Sequence, residues 1–396
     1  MSFQAYIGVN EDDDVIVAST GATTDVLSKM SGNPGVLFVF ASSFYDQAKV
    51  VEGVASVAKG IPIAGVSSGG ELAPNGPVRR HSVTVLGLQS DELTFSVAVP
   101  DANSKDAYAI GVSLAKNLAN KSPKMACAFL FLDGVAYDGA AAVAGVRSVF
   151  GENFPVFGAG ASDTGLYQKT YQYSNESMTS GSAVAVGITG PILFSTGVAH
   201  GWVPIGMPAL VTKTSGMYLE HLGSRPAVNL YREYFEKDKT INFTGQTLSE
   251  LTYAYPLGVP AKTKGMYTLR SPISVEKNGS IRFNANIPTN SPLRFMVGGK
   301  EEAIDAARFA ANTAIESLHT KPTIAFVFLG YTRNKFLGEH IGDEFASLRD
   351  ALGEVPIVGF YSFSEIAPGN DETHTHQIKP AELHNQSALV VLLGLK

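Results

Sequence analysis

Three short segments made only of apolar residues recur along the chain, at 36–40 (VLFVF), 128–132 (AFLFL) and 325–329 (AFVFL). Uninterrupted apolar runs of this length, rich in Val and Phe, are typical of strands that are covered on both faces. The residues after each run have the apolar spacing of a helix. We therefore predict three buried strands, each followed by a helix.

A second apolar segment follows in every copy and opens with proline, at Pro62, Pro155 and Pro356. The intervening residues suffice for one helix and two loops, which predicts a β-α-β crossover between parallel strands. A polar loop then leads to a further apolar strand with a glycine near its end, at Gly87, Gly187 and Gly394. The pattern indicates one β-α-β-β unit repeated three times.

The first and last copies match most closely, over 62–74 (PIAGVSSGGELAP) and 356–368 (PIVGFYSFSEIAP). Both place a glutamate, Glu71 or Glu365, just beyond a predicted strand and before an aliphatic-Ala-Pro turn. Ligand crevices of α/β sheets form where strands end. We therefore expect the first and third units to face one crevice.

The sequence between the outer copies has a different character. Asn278 and Gly279 predict a hairpin turn, and the spacing over 300–318 predicts an amphipathic helix. We predict an α/β protein of two pseudo-repeated halves, each a mixed β-sheet flanked by helices. The domains are expected at 1–200 and 201–396.

Composition narrows the classes of function. The 396 residues are 45% hydrophobic and 17% charged, as in folded globular proteins. A net charge of −6 without a basic run argues against a nucleic-acid partner. The one cysteine, Cys127, excludes an internal disulfide. Because no apolar stretch resembles a membrane span or a signal peptide, we expect a cytoplasmic protein with no membrane partner.

A serine motif offers a catalytic alternative. Residues 65–69 (GVSSG) match the G-x-S-x-G elbow of serine hydrolases, with Ser67 as the nucleophile. The elbow requires a helix directly after the serine, whereas 71–77 contains two prolines and a glycine. We therefore interpret the motif as a turn, predict no catalytic residue, and keep a hydrolase that uses Ser67 as an alternative.

Histidines cluster near the C-terminus, at His374, His376 and His384. Residues two apart share one face of a strand, so this group could hold a metal ion or a haem iron. The same residues also suit a solvated loop. The main expectation is no cofactor, with metal or haem binding as alternatives.

Two further polar residues lie close to predicted strands. Arg333 follows the strand 325–329, where an arginine can pair with a ligand carboxylate through two hydrogen bonds. Asn385 precedes the last strand and could donate to a ligand or cap a turn. Either residue is equally compatible with an ordinary loop.

Seven blocks of the chain resemble those of FIST sensory proteins, in the order found in that family, at 62–74, 82–88, 201–205, 226–235, 330–333, 359–368 and 383–395. The most specific resemblance is G-F-Y-[ST]-[FY]-x-E-I-A-P followed by L-H-N-Q-[ST]. The chain departs from the family pattern at Ser364 and over 330–332. Glu365, His384, Asn385 and Arg333 match position for position.

The resemblance implies a signal-input module that binds a small molecule, with amino acids as proposed ligands. Some FIST proteins carry kinase, cyclase or chemoreceptor effectors, and some stand-alone members are associated with haem and nitric-oxide sensing through a histidine kinase. We expect a non-catalytic sensor that acts on a separate histidine kinase, cyclase or chemotaxis partner. A haem-binding gas sensor is the alternative.

The expected ligand site combines these observations. Arg333 would bind a ligand carboxylate, and Glu365 would bind an amino or hydroxyl group. The remaining candidates for the pocket are Tyr361, Ser362, His384, Asn385, Ser67, Ser68 and Glu71.

Overall fold

The computed structural model describes residues 3–77, 81–104, 106–235, 251–261, 265–368 and 379–396. Its first unit consists of β1 (Phe3–Asn10), α1 (Val15–Lys29), β2 (Val36–Ser42), α2 (Gln47–Val57), β3 (Ile63–Ser68), β4 (Glu71–Ala73), β5 (Gly76–Pro77) and β6 (Val83–Ser90). The second unit repeats this order with β7 (Thr94–Ala98), α3 (Ala107–Lys121), β8 (Cys127–Leu132), α4 (Gly139–Phe150), β9 (Val156–Gly160), β10 (Gln172–Ser174), β11 (Ser177–Thr179) and β12 (Ala183–Thr189).

The third unit is interrupted after its first strand, β13 (Ile192–Ala199). The insertion comprises β14 (Val203–Ser215), β15 (Tyr218–Leu222), β16 (Arg225–Pro226), α5 (Val228–Phe235), α6 (Leu251–Ala254), β17 (Leu257–Pro260), β18 (Tyr267–Arg270), β19 (Pro272–Val275), β20 (Ile281–Phe283) and β21 (Pro292–Val297). The unit then resumes with α7 (Lys300–Ser317), β22 (Ile324–Gly330), α8 (Tyr331–Leu337), a 3-10 turn (Gly338–His340), α9 (Ile341–Leu352), β23 (Ile357–Ser362), β24 (Ser364–Pro368), β25 (Ala381–His384) and β26 (Ala388–Leu395).

Strand pairing confirms the crossover in every unit. β2 and β3, β8 and β9, and β22 and β23 are parallel pairs, and the last strand of each unit runs antiparallel to the first member of its pair. The registers make Leu37, Ala128 and Ala325 equivalent, since each pairs with the residue after the strand-opening proline.

The predicted match of the three glycines is wrong in the last copy. Gly87 and Gly187 pair with Leu37 and Ala128, but Ala325 pairs with Leu392. Gly394 lies two residues further on, next to the last residue of β26.

Each six-stranded sheet is completed by a hairpin from another unit. The hairpin β4–β5 of the first unit pairs with β23 of the third, β10–β11 of the second pairs with β3 of the first, and β24–β25 of the third pairs with β9 of the second. The three units therefore exchange hairpins in a ring, which gives the molecule pseudo-threefold symmetry.

The three sheets face one another across a core of phenylalanines. The central strand of each sheet, β2, β8 or β22, contributes two alternate residues to this core. All six rings are fully buried: Phe38, Phe40, Phe129, Phe131, Phe326 and Phe328. Rings from different units meet with centroids 4.5 Å apart for Phe129 and Phe326, and 5.2 Å apart for Phe38 and Phe326. Tilted and edge-to-face contacts of this kind are favourable between aromatic rings.

Helices cover the outer faces of the sheets in pairs. In the first two units every one of these helices starts at an aspartate whose carboxylate accepts backbone N–H groups of the first turn, namely Asp14, Asp46, Asp106 and Asp138. The pair α3–α4 approaches closely at two glycines, since a Cβ on Gly111 or Gly145 would lie 2.0–2.2 Å from a carbonyl oxygen of the other helix. No helix within the described ranges is long and apolar enough to cross a membrane.

The predicted fold class is confirmed as mixed α/β with mixed sheets flanked by helices. The N-terminal half contributes two units, and the C-terminal half contributes the third with its insertion. β13, which precedes residue 200, pairs with β26 in the third sheet. The exact domain boundary stays a prediction.

We expect Phe38→Ala to lower the free energy of unfolding by about 3–5 kcal/mol, because it opens a cavity among rings of all three units. Urea unfolding followed by circular dichroism measures the change. Phe44→Ala is the control, since this ring is 73% exposed and its loss should cost under about 0.5 kcal/mol. Equal effects of the two variants would contradict the assignment of the core.

Candidate ligand-binding site

The carboxyl ends of β3, β9 and β23 meet at the pseudo-threefold axis. The hydroxyl of Ser67 donates to the carbonyl of Ser162 over 3.1 Å, and the amide of Tyr361 donates to the carbonyl of Gly70 over 2.8 Å. The first and third units therefore meet, as the sequence suggests. The convergence itself is closed, because Ser67, Ser68 and Ser362 are fully buried.

Two buried glutamates stand beside this convergence in equivalent arrangements. Glu365 accepts from the hydroxyl of Ser362 over 2.7 Å, and from the hydroxyl and amide of Ser387 over 2.5 and 3.0 Å. Glu71 accepts in the same way from Ser68 and, over 2.7 Å, from Ser82. Burial raises the pKa of each carboxyl to about 7, although the serine hydroxyls act in the opposite direction.

These bonds correct the roles expected for the two glutamates. Each carboxylate joins the end of β3 or β23 to the residue just before the last strand of the same unit, and these hydrogen bonds all lie within the protein. Neither Glu71 nor Glu365 is exposed to solvent. The geometry therefore indicates a structural role and not a direct contact between Glu365 and a ligand.

Ser67 does not have the surroundings of a nucleophile. Its hydroxyl accepts from the amide of Tyr171 over 3.0 Å while it donates to Ser162. β3 leads into the strand β4, so the helix of a nucleophile elbow is missing from this position. The motif is not the predicted turn either, because 65–68 lie in β3 itself and the chain bends only at Gly69 and Gly70.

The side chain of Arg333 also makes its hydrogen bonds within the protein. It is fully buried and donates from Nε and Nη2 to Glu344 over 2.8 and 2.6 Å. Its remaining bonds run to the carbonyls of His200, Gln386 and Ala303. Because protein acceptors surround the guanidinium, Arg333 has no free N–H group with which to bind a ligand carboxylate as expected.

A cavity of about 330 Å³, here named the inner cavity, lies between the insertion and the third unit. Its wall is mainly apolar and includes Val198, Trp202, Met266 and Leu269. The predicted residues His384 and Asn385 line it, together with Ser387. A concave, mostly apolar space with a few polar groups is typical of small-molecule sites.

The imidazoles in this wall are uncharged near neutral pH. Burial lowers the pKa of His200 and of His384 to about 4. Nδ1 of His200 accepts from the amide of Trp202 over 2.9 Å, and its Nε2 lies 3.1 Å from the carbonyl of Tyr267. Nε2 of His384 lies 3.3 Å from the carbonyl of Ala367.

Asn385 supplies the least satisfied polar group of the wall. The side chain is 1% exposed, and its Nδ2 donates to the carbonyl of Phe363 over 3.2 Å. Its Oδ1 is buried and has no hydrogen-bond partner. An unpaired buried acceptor costs on the order of 1–3 kcal/mol, which a ligand donor would recover.

Tyr361 lies in a different space, here named the outer cleft. This cavity of about 1230 Å³ is lined by the hairpin β4–β5 of the first unit and by α8 and α9 of the third. Eight of the nine candidate residues are therefore divided among the closed convergence with its two glutamates, the inner cavity and the outer cleft, whereas Arg333 lines neither cavity. Trp202 lies in 201–205, one of the blocks that carry the family resemblance, whereas the sequence offers no direct signal for His200 and Met266.

Of the three histidines considered for a metal or haem, His384 is the one that the structure describes, in the wall of the inner cavity of about 330 Å³. Its Nε2 lies against the carbonyl of Ala367, so haem binding stays an alternative prediction. Within the described part of the chain, no group of three or more His, Cys, Asp or Glu is placed to hold a metal ion. His374 and His376 lie outside the described residues.

Comparison with protein families matches residues 35–225 to the FIST N domain and residues 227–368 to the FIST C domain. The chain belongs to the FIST family. FIST domains are sensory domains, so the resemblance noted in the sequence is confirmed at that level.

Individual relatives of the FIST chain add little about its function. An uncharacterized protein of Mycobacterium bovis is 24% identical over 178 residues, 43% of this chain and 45% of that protein. One of Methanocaldococcus jannaschii is 24% identical over 207 residues, 50% of this chain and 40% of that protein. The FIST chain thus spans under half the length of these relatives.

Two solved structures of cyanuric acid hydrolase, one from A. caulinodans, align with the whole FIST chain at 8% identity. Their TM-scores are 0.35 and 0.37. At these scores the likeness supports no inference about activity.

Replacing both buried glutamates of the FIST chain by glutamine should change how its stability depends on pH. Because the folded pKa of Glu71 and Glu365 is about 7, above the ordinary 4.5, their contribution to stability is complete below pH 4.5 and is lost as the pH rises to 7. The double variant Glu71→Gln/Glu365→Gln should therefore gain stability relative to the unchanged chain as the pH rises over this interval. The difference in unfolding free energy should grow by at most about 1.4 kcal/mol per pH unit for each glutamate.

Urea unfolding at several pH values between 4.5 and 8 measures this difference. His200 and His384 have the opposite sign, since their lowered pKa makes stability rise with pH, but they are present in both proteins and cancel. A flat difference for the buried pair would refute the structural explanation.

Arg333→Met should destabilise the FIST chain by about 3–5 kcal/mol, because Glu344 would be left buried without its partner. The double variant Arg333→Met/Glu344→Gln should recover part of this loss in the same urea measurement. Arg308→Met is the control, since its ion pair with Asp305 is exposed and is worth under about 1 kcal/mol. A stable Arg333→Met would mean that this arginine is free for another role.

Proposed function

We propose that the chain is a non-catalytic sensor whose inner cavity binds an amino acid, or a metabolite of similar size, with an apolar side chain. The observation that carries this proposal is the buried, unpaired Oδ1 of Asn385 in a mainly apolar wall. A ligand amino group can donate to this oxygen, while its side chain takes the apolar part of the cavity.

Charge in the cavity wall supports the same class of ligand. Glu382 and Lys379 both line the inner cavity and carry opposite charges. This combination matches the ammonium and carboxylate groups of a free amino acid. The uncharged imidazoles of His200 and His384 add hydrogen-bonding surface without adding charge.

Repetition of the serine–glutamate contact favours binding over catalysis. Ser387 lines the inner cavity and donates to Glu365, a carboxyl with a raised pKa, which is a pairing that could suggest a nucleophile and its base. However, Ser82 and Glu71 form the same contact in the first unit, away from the inner cavity. One structural role accounts for both pairs.

The position of the cavity suggests how binding would be passed on. One wall belongs to the insertion, through Trp202 and Leu269, and the other belongs to the third unit, through His384 and Asn385. A ligand that contacts both walls shifts their relative arrangement by its difference in affinity for the alternatives. We propose that a separate partner reads this arrangement, and that a histidine kinase, cyclase or chemotaxis protein is the class of partner.

A thermal-shift screen of the twenty amino acids, followed by calorimetry, tests the ligand class. We expect at least one apolar amino acid to raise the melting temperature with concentration. Asn385→Leu should weaken its binding about tenfold, because the acceptor is lost. If no amino acid binds, the proposed ligand class is wrong.

Asn284→Leu is a matched control. Asn284 also donates from Nδ2 to the carbonyl of Phe363, over 2.5 Å, and its Oδ1 is likewise buried without a partner, but it does not line the inner cavity. This variant should lose the same bond to Phe363 and keep its affinity for the amino acid. Equal weakening in both variants would show that the bond to Phe363, and not the cavity, determines binding.

A further inference from the structure

The outer cleft is a second built cavity, separate from the inner cavity and not used by the proposed function. Its volume of about 1230 Å³ exceeds that of the inner cavity several times. One wall is formed by α8, the start of α9 and Tyr361, and the opposite wall by Phe44, His81 and the hairpin β4–β5.

An aromatic platform is fixed at one wall of the cleft. The ring of Phe44 is 73% exposed, although large apolar side chains are usually covered. It stacks on His81 with centroids 4.8 Å apart and an interplanar angle of 16°. His81 is held in turn by Asp13, 3.0 Å from its Nε2, and by an edge contact with Tyr45. The exposed face of Phe44 is therefore a preorganised surface for a flat ligand.

The other wall supplies uncharged hydrogen-bonding groups. Tyr361 is 1% exposed, and its hydroxyl lies beside the amide of Asn334, which also lines the cleft. An amide offers a donor and an acceptor side by side, which is the pattern that complements the edge of a nucleobase.

Charge argues against an anionic ligand. The cation in the wall, Arg349, donates to the carbonyls of Gly353, Val355 and Pro74 over 3.0, 2.8 and 2.7 Å. Its guanidinium is thereby held by the protein, and the nearby Glu339 would repel a phosphate or carboxylate. The cleft thus favours a neutral molecule.

From this combination we infer that the outer cleft binds an uncharged nucleoside. The base stacks on Phe44, and its polar atoms or those of the sugar bond to the Asn334 amide and the Tyr361 hydroxyl. The volume of the cleft leaves room for both base and sugar. This site is separate from the amino-acid site, since no residue lines both cavities.

Isothermal titration of the full chain with adenosine, guanosine, cytidine and uridine tests the inference. At least one nucleoside should bind. Phe44→Ala should weaken its binding at least tenfold, because stacking on an aromatic ring contributes strongly to the binding of bases. Tyr361→Phe should weaken it several-fold, through loss of the hydroxyl alone.

Tyr108→Ala is the control for Phe44→Ala, since Tyr108 is 48% exposed on α3 and does not line the cleft. This variant should bind the nucleoside with unchanged affinity. Melting curves without ligand verify that each variant is folded, and because Phe44 is exposed we expect its variant to fold. The inference would be overturned if none of the four nucleosides binds. It would equally be overturned if Phe44→Ala and the unchanged chain bind a nucleoside with the same affinity, or if the chain binds maltose and no nucleoside.

Discussion

The contact of six phenylalanine rings at the pseudo-threefold axis is the constraint on which the rest of the structure depends. Each central strand presents two rings to the other two units, so the three sheets can close only around a shared core. This closure fixes the strand ends at one place. It thereby positions the convergence of Ser67, Ser162 and Tyr361 and, around it, the two cavities.

Much of the fold could be predicted from the sequence because its signals are local. Apolar runs and strand-opening prolines give the β-α-β units directly, and the hairpin at Asn278 follows from its turn residues. Other features depend on pairing between distant segments and have no local signal. The register of the last strand is one example, since Gly394 marks the wrong position, and the exchange of hairpins is another.

The candidate site was harder to predict for a related reason. Arginine and glutamate beyond a strand suggest ligand contacts, but the same residue types can serve the protein itself. For Arg333 the deciding partners are Glu344 and carbonyls up to 133 residues away in the sequence. The family resemblance points to His384 and Asn385, which line a cavity, and its block 201–205 includes Trp202 of the opposite wall. No motif identifies Met266 and Leu269, which the insertion contributes.

The ring of hairpin exchange affects how the molecule can open. If one unit detached, its own hairpin would leave a neighbouring sheet, and its own sheet would lose the hairpin of the other neighbour. Both events expose unpaired strand borders, which are prone to aggregate. Partial unfolding of a single unit is therefore disfavoured. The three units should melt as one cooperative block, although each sheet is covered by its own pair of helices.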